Sequence, residues 1–372
     1  MLHIAQMSGN LRIDAIRIEF FAVRNAVQIM FRTLLDRIIG RERPRQHEEE
    51  SKDFAQILEQ GKSILHSTTE PNALNKVERK VRSEFHLHHR WPSDRGDIQK
   101  AARKEIRAVQ EMPELAHVFM FHGDGRIRGE AIRNLAGPLQ TPANVYALFW
   151  RLNDWVPQVR SLSHQAFKRV MPITSASVVV PALTAVLPHL NSWGRWSSEG
   201  PEAVRKVMVR PDIAAQILGD LKTTRQPRLG QIFRELSRSS VVDQHIESVF
   251  VTAPLPHIRT MALGMLLSGT ARWPTGKSKR VWIDRSMGKY RTEAIYDHRK
   301  ISIPVAPIDL IAVGASDRSA MVRRRAADGL IALRNEPDLK DDLDAIATSL
   351  QEDPNIGVRN RIEFFRRKQP MN

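Results

Sequence analysis

The sequence predicts an all-α protein: an α-solenoid of stacked helical hairpins, interrupted by one small, basic, β-hairpin-like insertion. Three observations predict it. A seven-residue phrase (Asp, four residues, then Val-Arg) occurs three times along the chain. Apolar residues on either side of each copy recur at helical spacing. One stretch, 272–304, abandons that spacing and changes composition.

The phrase reads Asp154-Trp-Val-Pro-Gln-Val159-Arg160, then Asp317-Arg-Ser-Ala-Met-Val322-Arg323, then Asp353-Pro-Asn-Ile-Gly-Val358-Arg359. Looser forms occur at Asp124-Gly-Arg-Ile127-Arg128 and, without the Asp, at Pro254-Leu-Pro-His-Ile258-Arg259. Each full copy lies between two helical patterns: 143–152 and 161–171, 307–315 and 324–333, 339–350 and 360–367. An Asp or Pro at such a turn stops one helix and starts the next, because its carboxylate accepts from free N–H groups or its ring fixes φ. Val or Ile then opens an apolar stripe, as in Val322, Ala326, Leu330 and Leu333.

The phrase resembles the HEAT-repeat, or armadillo-like, family of α-solenoids over residues 112 to 368. The resemblance implies that Asp and Arg of neighbouring repeats pair in a ladder beneath the inner helices. On this reading Arg160, Arg323, Arg359 and their aspartates join repeats and do not contact ligand. The steps from Arg128 to Arg160 and from Arg323 to Arg359 each suit one helix pair. The span from Arg160 to Arg259 suits three, with intermediate pairs expected at 178–190 with 202–209 and at 213–221 with 229–236. Such pairs bury their stripes only by stacking, and stacking leaves one extended concave surface.

The chain therefore divides into an N-terminal helical cap region (1–110), repeats (111–271), the insertion (272–304) and C-terminal repeats (305–372). Within the cap region, 13–39 reads as a long amphipathic helix, suited to starting the array or to meeting a partner. A charged linker follows at 41–53. Shorter helices are expected at 54–66, 73–85 and 97–110.

The insertion is the strongest functional signal. From Arg272 to Lys300 it carries nine Lys or Arg against three acids, a net +6 of the chain's +16. Aromatic residues lie among the cations, including two of the protein's three tyrosines. Residues 280–284 and 290–296 read as two short strands about a turn at 286–289. A basic hairpin suits phosphate contacts, and exposed rings offer faces for bases or sugars. The candidate nucleic-acid-binding residues are Arg272, Trp273, Lys277, Lys279, Arg280, Trp282, Arg285, Lys289, Tyr290, Arg291, Arg299 and Lys300. The alternative for this segment is a loop folded back over the helices, with Trp and Tyr as local packing.

Composition narrows the function classes. Fifty-seven Lys and Arg against 41 Asp and Glu, with a pI near 10.5, attract polyanions. The absence of cysteine excludes disulfides, thiol catalysis and cysteine-held metals and fits a reducing, cytoplasmic setting. No stretch reaches the roughly 20 apolar residues that a membrane span needs, so no membrane association is expected. His86, His88, His89 and Asp94 lack a second cluster at metal-binding spacing. Thr275-Gly276-Lys277-Ser278 lacks the earlier glycine and the leading strand of a phosphate loop. No metal, cofactor or catalytic residue is assigned.

The function expected from these features is a non-enzymatic platform for DNA or RNA, using the concave face and the insertion. A protein-interaction scaffold within a larger complex is the alternative. A second alternative comes from resemblance to DNA-alkylation-repair glycosylases, whose chemistry implies a carboxylate among aromatics. Here Trp150, Asp154 and Trp155 are the residues in question, and the pattern yields no catalytic assignment.

Overall fold

A computed structural model describes residues 53–88, 95–190, 192–196, 199–226, 228–301 and 306–367. The expected helix 13–39, all but the last residue of the linker 41–53, and His89, Asp94 and Pro304 lie outside them. Among the described residues the protein is mostly helical, with seventeen α-helices and one two-stranded antiparallel sheet.

The first three helices are α1 (Phe54–Ser67), α2 (Pro71–Glu84) and α3 (Arg95–Glu111). Helix pairs follow: α4 (Ala116–Phe119) and α5 (Gly125–Asn134), α6 (Pro142–Leu152) and α7 (Pro157–Val170), α8 (Ala176–Val186) and α9 (Glu199–Met208). Next come α10 (Pro211–Thr223) and α11 (Leu229–Leu236), then α12 (Ile246–Thr252) and α13 (Pro256–Ser268). Strands β1 (Thr270–Asp284) and β2 (Lys289–Lys300) precede the last two pairs, α14 (Pro307–Ala315) with α15 (Ala320–Leu333) and α16 (Lys340–Ser349) with α17 (Ile356–Arg367).

The boundaries follow from local chemistry. Proline occupies the first turn of α6, α7, α10, α13 and α14, where its missing N–H costs nothing. Side chains of Asp124, Thr141 and Ser319 accept from the first free N–H groups of α5, α6 and α15. Helix α11 buries Leu229, Ile232, Phe233 and Leu236, spaced i, i+3, i+4 and i+7, so one stripe meets the core. Each such side chain contributes about 1.5–3 kcal/mol on full burial.

Packing sorts the helices into rows. Second helices lie side by side, α5 against α7, and α11, α13, α15 and α17 in succession. First helices form another row, α6 against α8, α8 against α10 and α10 against α12. Helices α1 and α2 form a third layer, α1 on α4 and α6, and α2 on α6 and α8. Covered by α1 and α2 as well as by its own neighbours, α6 buries every residue but Trp150.

Arg–Asp pairs join successive units. Arg128 donates through Nε and Nη2 to Asp154 (2.9 and 2.8 Å), Arg259 to Asp317 (2.7 and 2.8 Å) and Arg323 to Asp353 (2.6 and 3.0 Å). Each of these aspartates also accepts from a backbone N–H two residues on, at Val156, Ser319 and Asn355. The phrase arginine then returns Nη1 to a carbonyl of its own turn: Arg160 to Asp154, Arg323 to Asp317 and Arg359 to Asp353. Arg160 and Arg359 make this turn contact without a following Asp.

Candidate nucleic-acid interface

The hairpin starts where α13 stops. Gly269 takes φ +60°, the left-handed conformation that glycine adopts without penalty, and β1 begins at the next residue. The strands are longer than the expected 280–284 and 290–296. Pro274 and Gly276, which break strand patterns in a sequence, sit at a register irregularity between Pro274 and Ser278. Such bulges accept residues that a regular ladder rejects. The turn lies at 285–288, with Gly288 at φ +66°.

Two of the twelve candidate residues anchor this ribbon. Trp273 is buried beside Ala271, and the Arg238 guanidinium lies 5.0 Å from its ring centre. Arg299 pairs with Asp243 through both Nη atoms (2.5 and 3.0 Å) and donates to the carbonyls of Ser237 and Ser239. Both side chains hold the base of the hairpin to the segment after α11.

Strand register sorts the rest, because directly opposed residues share a face and faces alternate. One face carries Thr270, Arg272, Pro274, Ser278, Arg280 and Trp282 opposite Lys300, His298, Tyr296, Ala294, Thr292 and Tyr290. It holds no acid. Arg272 lies 5.4 Å from the Tyr296 ring centre, Arg280 lies 4.8 Å from that of Tyr290, and Trp282 meets Tyr290 edge-on at 5.6 Å.

The other face carries the strand carboxylates Glu293 and Asp297, with Asp284 opposite Lys289 at its far end. There Arg291 pairs with Glu293 at 2.6 Å, and Lys279 lies 4.0 Å from the same carboxylate. Lys289 shares that side, Lys277 lies in the irregular stretch and Arg285 in the turn, all three exposed. Strand alternation thus puts Lys279 and Arg291, already beside Glu293, on the face opposite Arg272 and Arg280.

The acid-free face runs into a groove of about 480 Å³. Its walls come from second helices: Arg234 of α11, His257 and Gly264 of α13, Arg324 and Arg325 of α15 and Arg361 of α17, with Thr270 and Arg272 at the hairpin end. Arg325 lies flat on α13 because Gly264 has no side chain; a Cβ there would come within 2.6 Å of its guanidinium. The groove's one carboxylate, Asp328, is taken by Arg361 at 2.6 Å. Burial, and then the charge of Arg234, holds the His257 imidazolium below the ordinary histidine range.

The groove arginines carried by helices (Arg234, Arg324, Arg325 and Arg361), His257 and the ring of Tyr296 are absent from the candidate set read from sequence, which held only Arg272 of the groove. The run Arg323-Arg324-Arg325 was the available signal. On a helix, adjacent residues point about 100° apart, so the ladder claims Arg323 and leaves its two neighbours to the groove.

Other sequence features resolve into local structure. Thr275 Oγ1 donates to the Ile295 carbonyl and accepts from the Lys277 N–H, within the ribbon. His86 and His88 are exposed, and no group of three potential metal ligands occurs among the described residues. Asp154 is buried, with Arg128, Arg151 and the Val156 N–H on its carboxylate. Burial alone would raise its pKa, but the Arg128 hydrogen bond and the charges of Arg151 and Arg128 hold it below the ordinary carboxylate value. Trp150 packs edge-on against Trp193 at 4.8 Å, whereas Trp155 is exposed. No helix among the described residues is long and apolar enough to cross a membrane. The chain matches no protein-family model and no curated protein sequence.

Proposed function

We propose that the protein is a non-enzymatic platform for nucleic acid, in which HEAT-like helix pairs stack as an α-solenoid and present a continuous basic track. The track is the groove on α11, α13, α15 and α17 together with the acid-free face of the hairpin. One observation carries the reading: Thr270 and Arg272 belong to both surfaces, so the cations of groove and ribbon adjoin with no unpaired carboxylate in the groove. Phosphates require such spaced guanidinium groups, and bases or sugars can pack on Trp282, Tyr290 and Tyr296. The net charge of +16 adds long-range attraction.

The test is a titration of duplex DNA, single-stranded DNA and RNA over a salt series from about 50 to 200 mM. Counterion release makes log K fall with log salt, by about 0.9 in slope for each phosphate contacted on a duplex. Replacing Arg272, Arg280, Arg324 and Arg325 together by Ser weakens binding and flattens that slope. Replacing Lys279 and Arg291, already beside Glu293, changes it much less. Absence of binding at low salt, or equal effects of the two variants, rejects the reading. A specific protein partner retained at moderate salt would favour a scaffold instead.

A further inference from the structure

The two most exposed large apolar side chains among the described residues are Ile283 (68 %) and Met287 (64 %), both at the end of the hairpin opposite its anchored base. Their placement is built into the ribbon. Ile283 is the extra residue of the register shift between the Trp282–Tyr290 and Asp284–Lys289 pairs, and such a bulge re-aims a side chain. Met287 sits in a turn tied by Asp284, whose Oδ1 accepts from the Ser286 N–H, the Ser286 hydroxyl and the Met287 N–H (2.9, 2.6 and 3.2 Å). Arg285 and Lys289, both exposed, flank the pair. From Ser278 to Asp284 the ribbon spans roughly 20 Å at about 3.3 Å per residue, enough to carry the tip clear of its base.

An apolar point between cations complements a base step between phosphates: the stacked bases are apolar and the backbone on either side is anionic. We propose that the tip is a wedge that inserts Ile283 and Met287 at a base step of duplex DNA, unstacking the step and bending the helix axis. The inference rests on the nucleic-acid reading given above. Short aliphatic and thioether side chains act this way, and insertion bends a duplex by about 20–90°. β-ribbons use either groove of B-form DNA, and wedges of this kind enter from the minor groove, whereas A-form RNA has a wide, shallow minor groove and a major groove too deep and narrow to be read by side chains. Pyrimidine–purine steps such as TA open most readily and are the preferred point of entry. Arg285 and Lys289, which flank the tip, hold backbone phosphates beside the opened step, and Arg280 and Arg272 hold others farther along the ribbon.

The experiment uses the full chain and duplexes of about 25 base pairs, with 2-aminopurine beside a central TA step and a fluorescent donor and acceptor at the two ends. On saturation with wild type, 2-aminopurine emission rises and the ends approach. Ile283→Ser/Met287→Ser binds within about threefold of wild type, because phosphate contacts carry most of the affinity, but leaves emission and end-to-end distance at the values of free duplex. Ile283→Leu/Met287→Leu restores both signals.

Wild-type binding without either signal overturns the wedge and leaves the nucleic-acid reading standing. No duplex binding at low salt overturns the wedge, and no binding to single-stranded DNA or RNA either overturns both. An equal response on an RNA duplex overturns the assignment to DNA. Binding to phosphatidylserine vesicles that depends on Ile283 and Met287, without unstacking of DNA, overturns the wedge in favour of a membrane contact.

Discussion

Asp154 joins three elements through one side chain. Arg128 of α5 and Arg151 of α6 donate to it, and Arg151 continues to Glu78 of α2, which also pairs with Arg82. Arg82 in turn donates to the carbonyls of Phe121 and His122. Arg128 and Asp154 have no exposed side-chain surface. Asp154→Asn therefore leaves two arginines buried without full compensation and costs about 3–5 kcal/mol of stability, read as a lower midpoint of urea unfolding. A change under 1 kcal/mol would dispose of the idea. An Arg–Asp pairing between neighbouring units was what the phrase's resemblance to HEAT repeats implied, and Arg128–Asp154 is such a pair. Glu78 was not legible in the sequence, because nothing local marks a partner 73 residues away in another layer.

The hairpin shows how an element can be recognised from its composition and still be misjudged in extent. Charge and aromatic content identified the ribbon, but Pro274 and Gly276 concealed the first ten residues of β1 at its base, Thr270 to Lys279. The same base turns Trp273 and Arg299 inward. The sequence held a hint: Ala271 and Trp273 are two apart, on one side of a strand that starts directly at a helix end. Asp243→Ala removes the carboxylate that fixes Arg299 and costs the base about 1.5–3 kcal/mol. Backbone amides across 270–301 then exchange with solvent roughly tenfold to a hundredfold faster, while those of α6 keep their wild-type rates. Unchanged protection of the ribbon would show that Trp273 alone suffices.

For the described part of the molecule as a whole, the helix pairs were largely readable. The segments 178–190, 202–209, 213–221 and 229–236 fall on α8 and its following turn, α9, α10 and α11. Helical spacing and proline punctuation are local signals, so they survive in a single sequence. The groove is not local: its walls come from four helices spread over more than 120 residues. The third layer of α1 and α2 is similarly hidden, since their apolar stripes announce burial without naming the surface that buries them. Only Trp150 escaping burial on α6 records, after the fact, that this helix is enclosed on nearly every side.

The Ile301 N–H donates to the Gly269 carbonyl at 2.8 Å, so the two ends of the ribbon meet where α13 stops. To the helix pairs on either side, the ribbon is a detour of negligible span and behaves as a detachable module. Residues 275–295 replaced by Asn-Gly, a sequence suited to a two-residue turn, keep the Trp273 and Arg299 anchors and close the ladder at the Pro274–Tyr296 pair. The shortened protein unfolds within about 0.5 kcal/mol of wild type, as expected for changes confined to the surface, and on the nucleic-acid reading proposed above it loses the ribbon's share of duplex affinity. Loss of the fold in a urea titration would mean that the ribbon is part of the scaffold. If the fold holds, the arm can be exchanged for one of different length or tip without redesigning the helices that carry it.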